Sequence, residues 1–440
     1  MNPSLIELHD HNLSVRDASG ILAQSPGFAS IAGKQPLFGD SARQQARLHP
    51  RHSLNQFWGQ LSLDPLLVKT PHFRHSADIA HKHLEHLTAN LDLREGAVLA
   101  VPSNYTRSHL AVLLGVVKQC AFAPVGLIDQ SLLQAAGTPG DECIVIDLQL
   151  HQAVLTRFRK VDGMLVKDAI VQVPASGMQA LQDAWTNMIT DEFLRQCRFD
   201  PKHNAETEQY LYNQLDSWIQ RCRQAPELIV EINHQGSLHQ ARLTIDHFNA
   251  RSTAVFRRIL KELDTMRGAQ TALHVRSSTV GLPGLAQTLP GVIAVDEDLL
   301  VTQCVTNLDA IKRPTDSLQF ITRLPLNIPV GTTASSAAVP QRLPTHVLFE
   351  HRAIPLPLGS LAFGQAPAPA EVARLLPVPA SSMSGHVIVN RQARQVVLEL
   401  LTPDPVLCNG TAATNGMTLA LGDNLQLGNA RTILQLIQVE

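Results

Sequence analysis

The sequence predicts an α/β fold in two halves followed by a separate all-β domain, and three observations carry that expectation. Residues 96 to 129 contain the run "GAVLAVPSNY", the helical stretch "TRSHLAVLLGVVKQCA" and the apolar run "FAPVGLID", which together read as a strand-helix-strand unit. A strand-rich region at 141 to 166 is followed by a long helical stretch at 178 to 224, so a second α/β half begins there. After residue 312 the composition changes: residues 327 to 344 are rich in Pro, Ala, Ser and Thr, and the last hundred residues hold short apolar runs separated by Gly and Asn turns.

The elements follow in order. Residues 4 to 16 read as a strand, and "GILAQSPGFASI" as a turn and a further strand broken at Pro-Gly. From residue 39 the pattern becomes helical, and residues 76 to 91 place Ile79, His83, Leu84 and Leu87 at helical spacing. The segment "LLQAAG" closes a helix on glycine. Residues 141 to 166 form a hairpin or meander turning at Asp162-Gly163. Strands near 227 to 245, a helix over 246 to 263 and a strand-turn-helix over 271 to 289 complete the second half. The C-terminal region has one candidate helix, "AEVARLL" at 370 to 376, and otherwise reads as a β-sandwich.

Length and composition bound the function. A chain of 440 residues is long for one core, and 44% hydrophobic residues suffice to fill two or more. A formal net charge of -2 leaves no basic field for a phosphate backbone, which speaks against nucleic acid as a partner. The apolar run at 109 to 117 is too short to span a bilayer, and the first residues lack a signal-peptide pattern, so a cytoplasmic protein with no direct membrane insertion is expected. Six scattered cysteines without a C-x-x-C pair fit reduced, mostly buried thiols.

Collinear landmarks over residues 4 to 311 resemble the ATPase domain of DnaK-type heat-shock chaperones, in the actin-like superfamily. "GDSARQQARLHPRHSLNQFWGQL" looks like the family's G-x-x-A-x-x-Q…N-P stretch, and "AVPSNYTRSHLAVLLGVVKQCAF" is similar to its V-P-A-Y-F-x-x-x-Q-R and following helix. "RCRFDPKHNAETEQYLYNQLDSW" and "LTIDHFNARSTAVF" resemble second-half helices, and "HVRSSTVGLPGLAQTL" its V-G-G-S-x-R-x-P turn. The resemblance implies a two-lobed actin-like ATPase fold, a nucleotide cleft and ATP or ADP with Mg as cofactor.

The loops that the resemblance assigns to nucleotide are those that depart from the family. Its D-L-G-T-T-N-S phosphate turn stands here as Glu7, Leu8, His9, Asp10, His11, Asn12 and Leu13. Glycine leaves room for backbone N–H groups to approach oxygen, whereas an imidazole fills that room and Asp10 brings negative charge to it. In the second phosphate loop Asp147 and Leu148 survive, but Gln149, Leu150 and His151 replace three glycines. Arg276 and Ser277 replace the glycines of the adenosine-side turn, and Trp58 stands where the family has a lysine that positions the attacking water. Losing all three loops removes room and donors for a triphosphate, so a pseudo-ATPase with no catalytic residues and no cofactor is expected. An active or nucleotide-binding switch, arguing from Asp147 and Asn12, is the alternative.

Residues 346 to 440 resemble a forkhead-associated module. "IPLPLGSLAFG" stands at its first strand and Gly-Arg, "SSMSGHVIV" looks like its S-R-x-H-A-x-I, and the ending "VLCNGTAATNGMTLALGDNLQLGNARTILQLIQV" is similar to its N-G-T/N-G…L-x-x-G-D-x-I-x-L-G. In that family a loop Arg and Ser hold phosphothreonine and an Asn fixes the peptide backbone. Ser360 occupies the Arg position, Ser384 is one residue nearer His386 than the pattern has it, and Asn409 or Asn415 remains. Recognition of a protein through these loops is expected, and the loss of the Arg leaves phosphopeptide recognition without its charged donor.

Sharper chemistries have less support. His9 or His11 with His151 and Asp10, Asp147 or Glu7 is an imidazole/carboxylate set a metal could use if the loops face one cleft, but polar lining of an abandoned cleft is the simpler reading. His83 and His86, one helical turn apart, read as a solvated helix face, and Trp218 as a core residue. No G-x-S-x-G elbow supports a Ser-His-Asp triad, and no Walker lysine or G-x-G-x-x-G supports a P-loop or dinucleotide site. The organisation expected is a pseudo-ATPase domain over 1 to 315, a linker over 316 to 345 and a β-sandwich over 346 to 440. The function expected is a non-catalytic scaffold that binds protein partners.

Overall fold

In a computed structural model, the chain is described except for residues 1, 139, 269–270, 315–317, 326–343, 350–351, 357–358, 366–373, 379–384, 392–395, 403, 409–410, 420–422, 428–431 and 438–440. It is a mixed α/β protein with 11 α-helices among the described residues, divided into two compact units, Met1–Val330 and Gly331–Glu440.

The first unit contains two six-stranded sheets built on one plan. In the first sheet Ser4–Glu7, Leu13–Asp17 and Gly20–Ser25 form an antiparallel meander, and Ala97–Val101 and Pro124–Asp129 then add in parallel on the other side of Ser4–Glu7. In the second, Glu142–Leu148, Gln152–Val161 and Met164–Pro174 repeat the meander, and Ala272–Arg276 and Val292–Val295 repeat the parallel additions. The parallel additions require helical crossovers, supplied in the first half by Ser76–Thr88 and Arg107–Val117. In the second half the return to the sheet runs through Met178–Cys197, Ala205–Gln224, a hairpin of Leu228–His234 with Ser237–Leu243, and Ile245–Met266.

Local chemistry accounts for these elements. The second meander turns at Asp162-Gly163 with φ of 49° and 74°, the left-handed pair that a two-residue hairpin turn requires. Asn204 caps Ala205–Gln224 by accepting from the amides of Glu206 and Thr207, and Asp129 caps Gln130–Ala136 by accepting from Ser131 and Leu132. Ile245–Met266 buries Phe248, Ser252, Val255, Phe256, Ile259 and Leu263, a spacing of three and four residues that packs one stripe on the core. Trp218 is buried in that same core, as its helical position predicts.

One core joins the two halves. Leu5, Val98 and Ile128 from the first sheet meet Cys143, Val145 and Phe158 from the second, with Leu132, Leu133 and Ala135 of the helix Gln130–Ala136 among them. The sheets are also linked by a single strap of chain. Phe320–Ile321 extends the first sheet beside Pro124–Asp129, and Arg323–Pro325 extends the second beside Met164–Pro174. The first unit therefore runs past residue 315, and Phe320–Ile321 and Arg323–Pro325, expected in a linker over 316 to 345, are strands of its sheets.

The second unit is all β. A six-stranded sheet has the order Arg352–Pro355, His346–Phe349, Thr432–Ile437, Asn424–Leu427, Val406–Cys408, Thr411–Ala412. A five-stranded sheet has the order Arg374–Pro377, Gly359–Gly364, His386–Arg391, Val396–Leu401, Thr418–Leu419. Val347 and Leu436 of one sheet and Phe363, Val389 and Leu398 of the other share a single apolar core. The helix expected at 370 to 376 is not one in its described part: Arg374–Pro377 pairs in parallel with Gly359–Gly364, so sheet pairing overrides local helical preference.

Leu132 is fully buried where the halves meet, and Leu67 is fully exposed. Leu132→Ala is expected to lower the unfolding free energy of the first unit by about 3 kcal/mol in urea denaturation, against less than about 0.5 kcal/mol for Leu67→Ala.

Candidate functional site

The turn after Ser4–Glu7 and the turn after Glu142–Leu148 occupy equivalent places in the two halves, and they bond directly to each other. His9 Nε2 lies 2.9 Å from Asp147 Oδ1. Asp10 Oδ1 accepts the Leu150 backbone N–H at 2.8 Å. Both Asp147 oxygens are engaged, since the other one accepts from Gln130 Nε2 at 2.9 Å and Gln149 Nε2 at 3.2 Å. Glu7, His9, Asp10, Asp147, Gln149 and Leu150 are all buried. The space between the turns is filled by the chain's own side chains.

Backbone geometry holds the turns in place. A Cβ at Gly27 would lie 2.3 Å from the Asp10 carbonyl oxygen, so only glycine permits the Gly27 N–H to reach that oxygen at 2.9 Å. Gly177 is equally constrained, because a Cβ there would lie 2.3 Å from the Gln149 carbonyl oxygen. That contact lets Met178 and Gln179, at the start of a 20-residue helix, donate their amides to the carbonyls of Gln149 and Leu150. Two amide donors of this helix end are thus spent on the loop.

Charges in the site are paired within the chain. Glu7 accepts from Arg276 Nη1 at 2.6 Å and from Ser14 Oγ at 3.2 Å, and lies 3.0 Å from Arg16 Nε. Arg16 also reaches Asp298 at 3.1 Å. Burial pushes the Asp147 carboxyl up, but His9, by charge and hydrogen bond, together with Arg276 and Gln149, takes it below the ordinary carboxylate range. Asp10 goes the other way: burial raises it, and the opposing pull of His9 and of the Leu150 amide is smaller. His11 is pushed down to about 3 by burial, with His9 and Arg43 adding to the shift. A second link between the halves lies deeper, where buried Asp129 accepts from Lys167 Nζ at 2.8 Å and from Ser103 Oγ at 2.5 Å.

Several residues singled out in the sequence are placed elsewhere. Trp58 does not line the space between the turns. Its indole is buried in the first-half core and donates to His83 Nδ1 at 3.0 Å, while its carbonyl accepts from Tyr105. His83 is not on a solvated face but fully buried, and only His86 of that pair is exposed. Because an indole N–H can only donate, His83 Nδ1 is the acceptor and Nε2–H donates to Ser25 Oγ at 2.8 Å. Asn12 turns to Gln24 at 3.3 Å rather than to the second loop. His151 Nε2 donates to the Asn55 carbonyl at 3.1 Å, and Ser277 Oγ bonds the Val295 carbonyl and Glu297. The imidazole/carboxylate set does not assemble as a metal site: among the described residues no group of three His, Cys, Asp or Glu side chains could hold a metal ion.

Sequence reasoning missed Arg16, Asp129 and Lys167, whose partners are distant in sequence. Asp129 carries one legible signal, an acidic residue between an apolar run and a helix.

In the second unit the described loop residues, Ser360, His386 and Asn415, do not form one cluster. Gly359–Gly364 pairs with His386–Arg391 so that Ser360 stands opposite Asn390 and Gly364 opposite His386, which puts Ser360 and His386 at opposite ends. His386 Nε2 instead donates to the Gln365 carbonyl at 2.7 Å, and a Cβ at Gly364 would lie 2.6 Å from the Gly385 carbonyl oxygen. Asn415, in a turn with Gly416 at φ 83°, accepts from the Leu400 amide near the His386 end. Ser384 and Asn409 lie outside the described residues. No protein-family model and no curated protein matches the chain.

Two predictions follow from these partners. Glu7→Gln leaves Arg16 and Arg276 short of their buried partner and is expected to destabilise the first unit by about 3 kcal/mol in urea denaturation; Asn12→Ala should cost less than about 1 kcal/mol. His83 is pushed down to about 3 by burial, with His86 adding to the shift. Between pH 6.5 and that value the unfolded chain takes up a proton at this residue and the folded chain does not, so stability falls as pH falls. From pH 6.5 to 4.5 the wild type should lose about 2 kcal/mol more than His83→Gln, read as the difference between their denaturation midpoints at each pH.

Proposed function

We propose that the first unit is an actin-like, DnaK-type pseudo-ATPase, and that with a forkhead-associated-like second unit it forms a non-catalytic cytoplasmic scaffold for protein partners. Two sheets on one plan, each a meander with two parallel additions, support the two-lobed reading. The observation that carries the loss of catalysis is the direct bonding of the two phosphate-loop equivalents, His9 to Asp147 and Asp10 to the Leu150 amide. Phosphoryl transfer is positioning and charge stabilisation around Mg²⁺ and phosphate oxygens. Here the amide, the carboxylate and the guanidinium groups already satisfy one another. Arg276, at the adenosine-side turn, is engaged by Glu7 rather than free to face a base or ribose.

For the second unit, two β-sheets around one core support the forkhead-associated-like reading. The position aligned with that family's phosphate-binding Arg is Ser360, which offers a hydroxyl and no charge. Binding of a protein surface rather than of phosphothreonine fits that residue set. Among the described residues no helix is long and apolar enough to cross a membrane, and net charge of -2 gives no field for nucleic acid.

Calorimetric titration with ATP and ADP, with and without magnesium, followed by a hydrolysis assay, tests the proposal. No binding heat and no turnover are expected. Magnesium-dependent binding with turnover abolished by Asp147→Asn would overturn it in favour of an active chaperone-type enzyme.

A further inference from the structure

Five buried polar atoms near the join of the two halves have no partner within the protein: Gln130 Oε1, Ser131 Oγ, Gln134 Nε2, Thr156 Oγ1 and His274 Nε2. All five residues are 2% exposed or less, so bulk water does not reach them. Gln134 stands four residues from Gln130 and three from Ser131, which puts the three on one face of the helix Gln130–Ala136. That face is pinned to the second sheet at both ends. Gln130 Nε2 donates to Asp147 at 2.9 Å, and Thr138, just past the helix, meets His274 Nδ1 at 3.2 Å. On the sheet, Val145 stands opposite Thr156 on one side and His274 on the other. Val145 belongs to the core shared with this helix, whereas Ile144 and Ile146 belong to the core behind the sheet, so Thr156 and His274 face the helix.

The chemistry of the five atoms restricts what can satisfy them. The Thr138 hydroxyl donates to the Ala135 carbonyl at 2.8 Å, so His274 Nδ1–H is the donor to Thr138 and Nε2 carries a bare lone pair. Burial lowers this imidazole and keeps it neutral. Two acceptors, one amide donor and two hydroxyls therefore line the seam between helix and sheet. An anion leaves the two lone pairs unmet, a cation leaves the amide unmet, and an apolar group leaves all five. Water both donates and accepts, and it brings no charge into the interior.

We propose that ordered water is built into this seam, bound by Gln130 Oε1, Ser131 Oγ, Gln134 Nε2, Thr156 Oγ1 and His274 Nε2, and that it bridges the helix to the second sheet. The site goes beyond the scaffold reading and does not depend on whether nucleotide binds. Thr156→Val keeps the shape of the side chain and removes the hydroxyl, and Gln134→Met keeps the length and removes the amide. Melting of the full chain by tryptophan fluorescence reads the first unit, which holds all three tryptophans, Trp58, Trp185 and Trp218. With water in the seam each variant loses bonds that the wild type makes, and its midpoint should fall by about 1–2 °C. In a dry seam each substitution removes an unmet polar group, and the midpoint would rise. Deuterium and oxygen-17 relaxation dispersion of the solvent counts long-lived internal water, and the double variant should hold at least one fewer than wild type. Raised midpoints, or an unchanged count of internal water in the double variant, overturn the inference. Failure of both single variants to fold overturns it as well, because losing a water bridge is too small an effect to unfold the chain.

Discussion

A buried charge needs a partner, and in the first unit the two turns have become each other's partners. Taking a carboxylate or guanidinium out of water costs several kcal/mol per ion unless it is met by opposite charge and hydrogen bonds. Glu7, Asp10 and Asp147 are all buried, and each is met from within the chain: by Arg16 and Arg276, by the Leu150 amide, and by His9, Gln130 and Gln149. Those partners lie across the two sheets, so satisfying the charges also fixes the sheets relative to each other. The apolar core around Leu132 and the Asp129–Lys167 pair reinforce the same arrangement.

That arrangement bears on function through what it leaves unspent. A phosphate loop binds because its amides and cations have nothing else to do until the nucleotide arrives. Here the Leu150 amide, the amides of Met178 and Gln179, and the guanidinium of Arg276 are engaged already. His9, Asp10, Gln149 and His151 therefore do more than fill the space around the turns. Their side chains bond to Asp147, the Leu150 amide, Asn104 and the Asn55 carbonyl, which is why the proposed scaffold needs no ligand to hold its two halves.

Much of the fold was legible from local signals. The helix Ser76–Thr88, the turn at Asp162-Gly163 and the parallel addition of Pro124–Asp129 follow from periodicity and turn chemistry that a short window contains. That the turns after Ser4–Glu7 and Glu142–Leu148 hold equivalent places was legible too, whereas Arg16, Asp129 and Lys167 were not. Nor was the pairing of the turns: Asp10 meets Leu150 across 140 residues, and no local pattern encodes such a contact. His83 misled because a histidine at a helical core position looks like surface until a Trp58 donor and a Ser25 acceptor are found for it. In the second unit, pairing sets Ser360 and His386 at opposite ends of neighbouring strands, and a one-dimensional motif match does not carry register.

The claim at the centre is that the second turn is locked by the first without a nucleotide, and amide hydrogen exchange reads it directly. A peptide covering residues 146 to 152, followed by mass spectrometry, includes the Leu150 amide that Asp10 engages. Slow exchange in the nucleotide-free protein, unchanged by saturating Mg-ATP, is the result this structure predicts. Fast exchange that becomes slow on adding Mg-ATP would mean that the loop waits for a ligand, and would contradict the account.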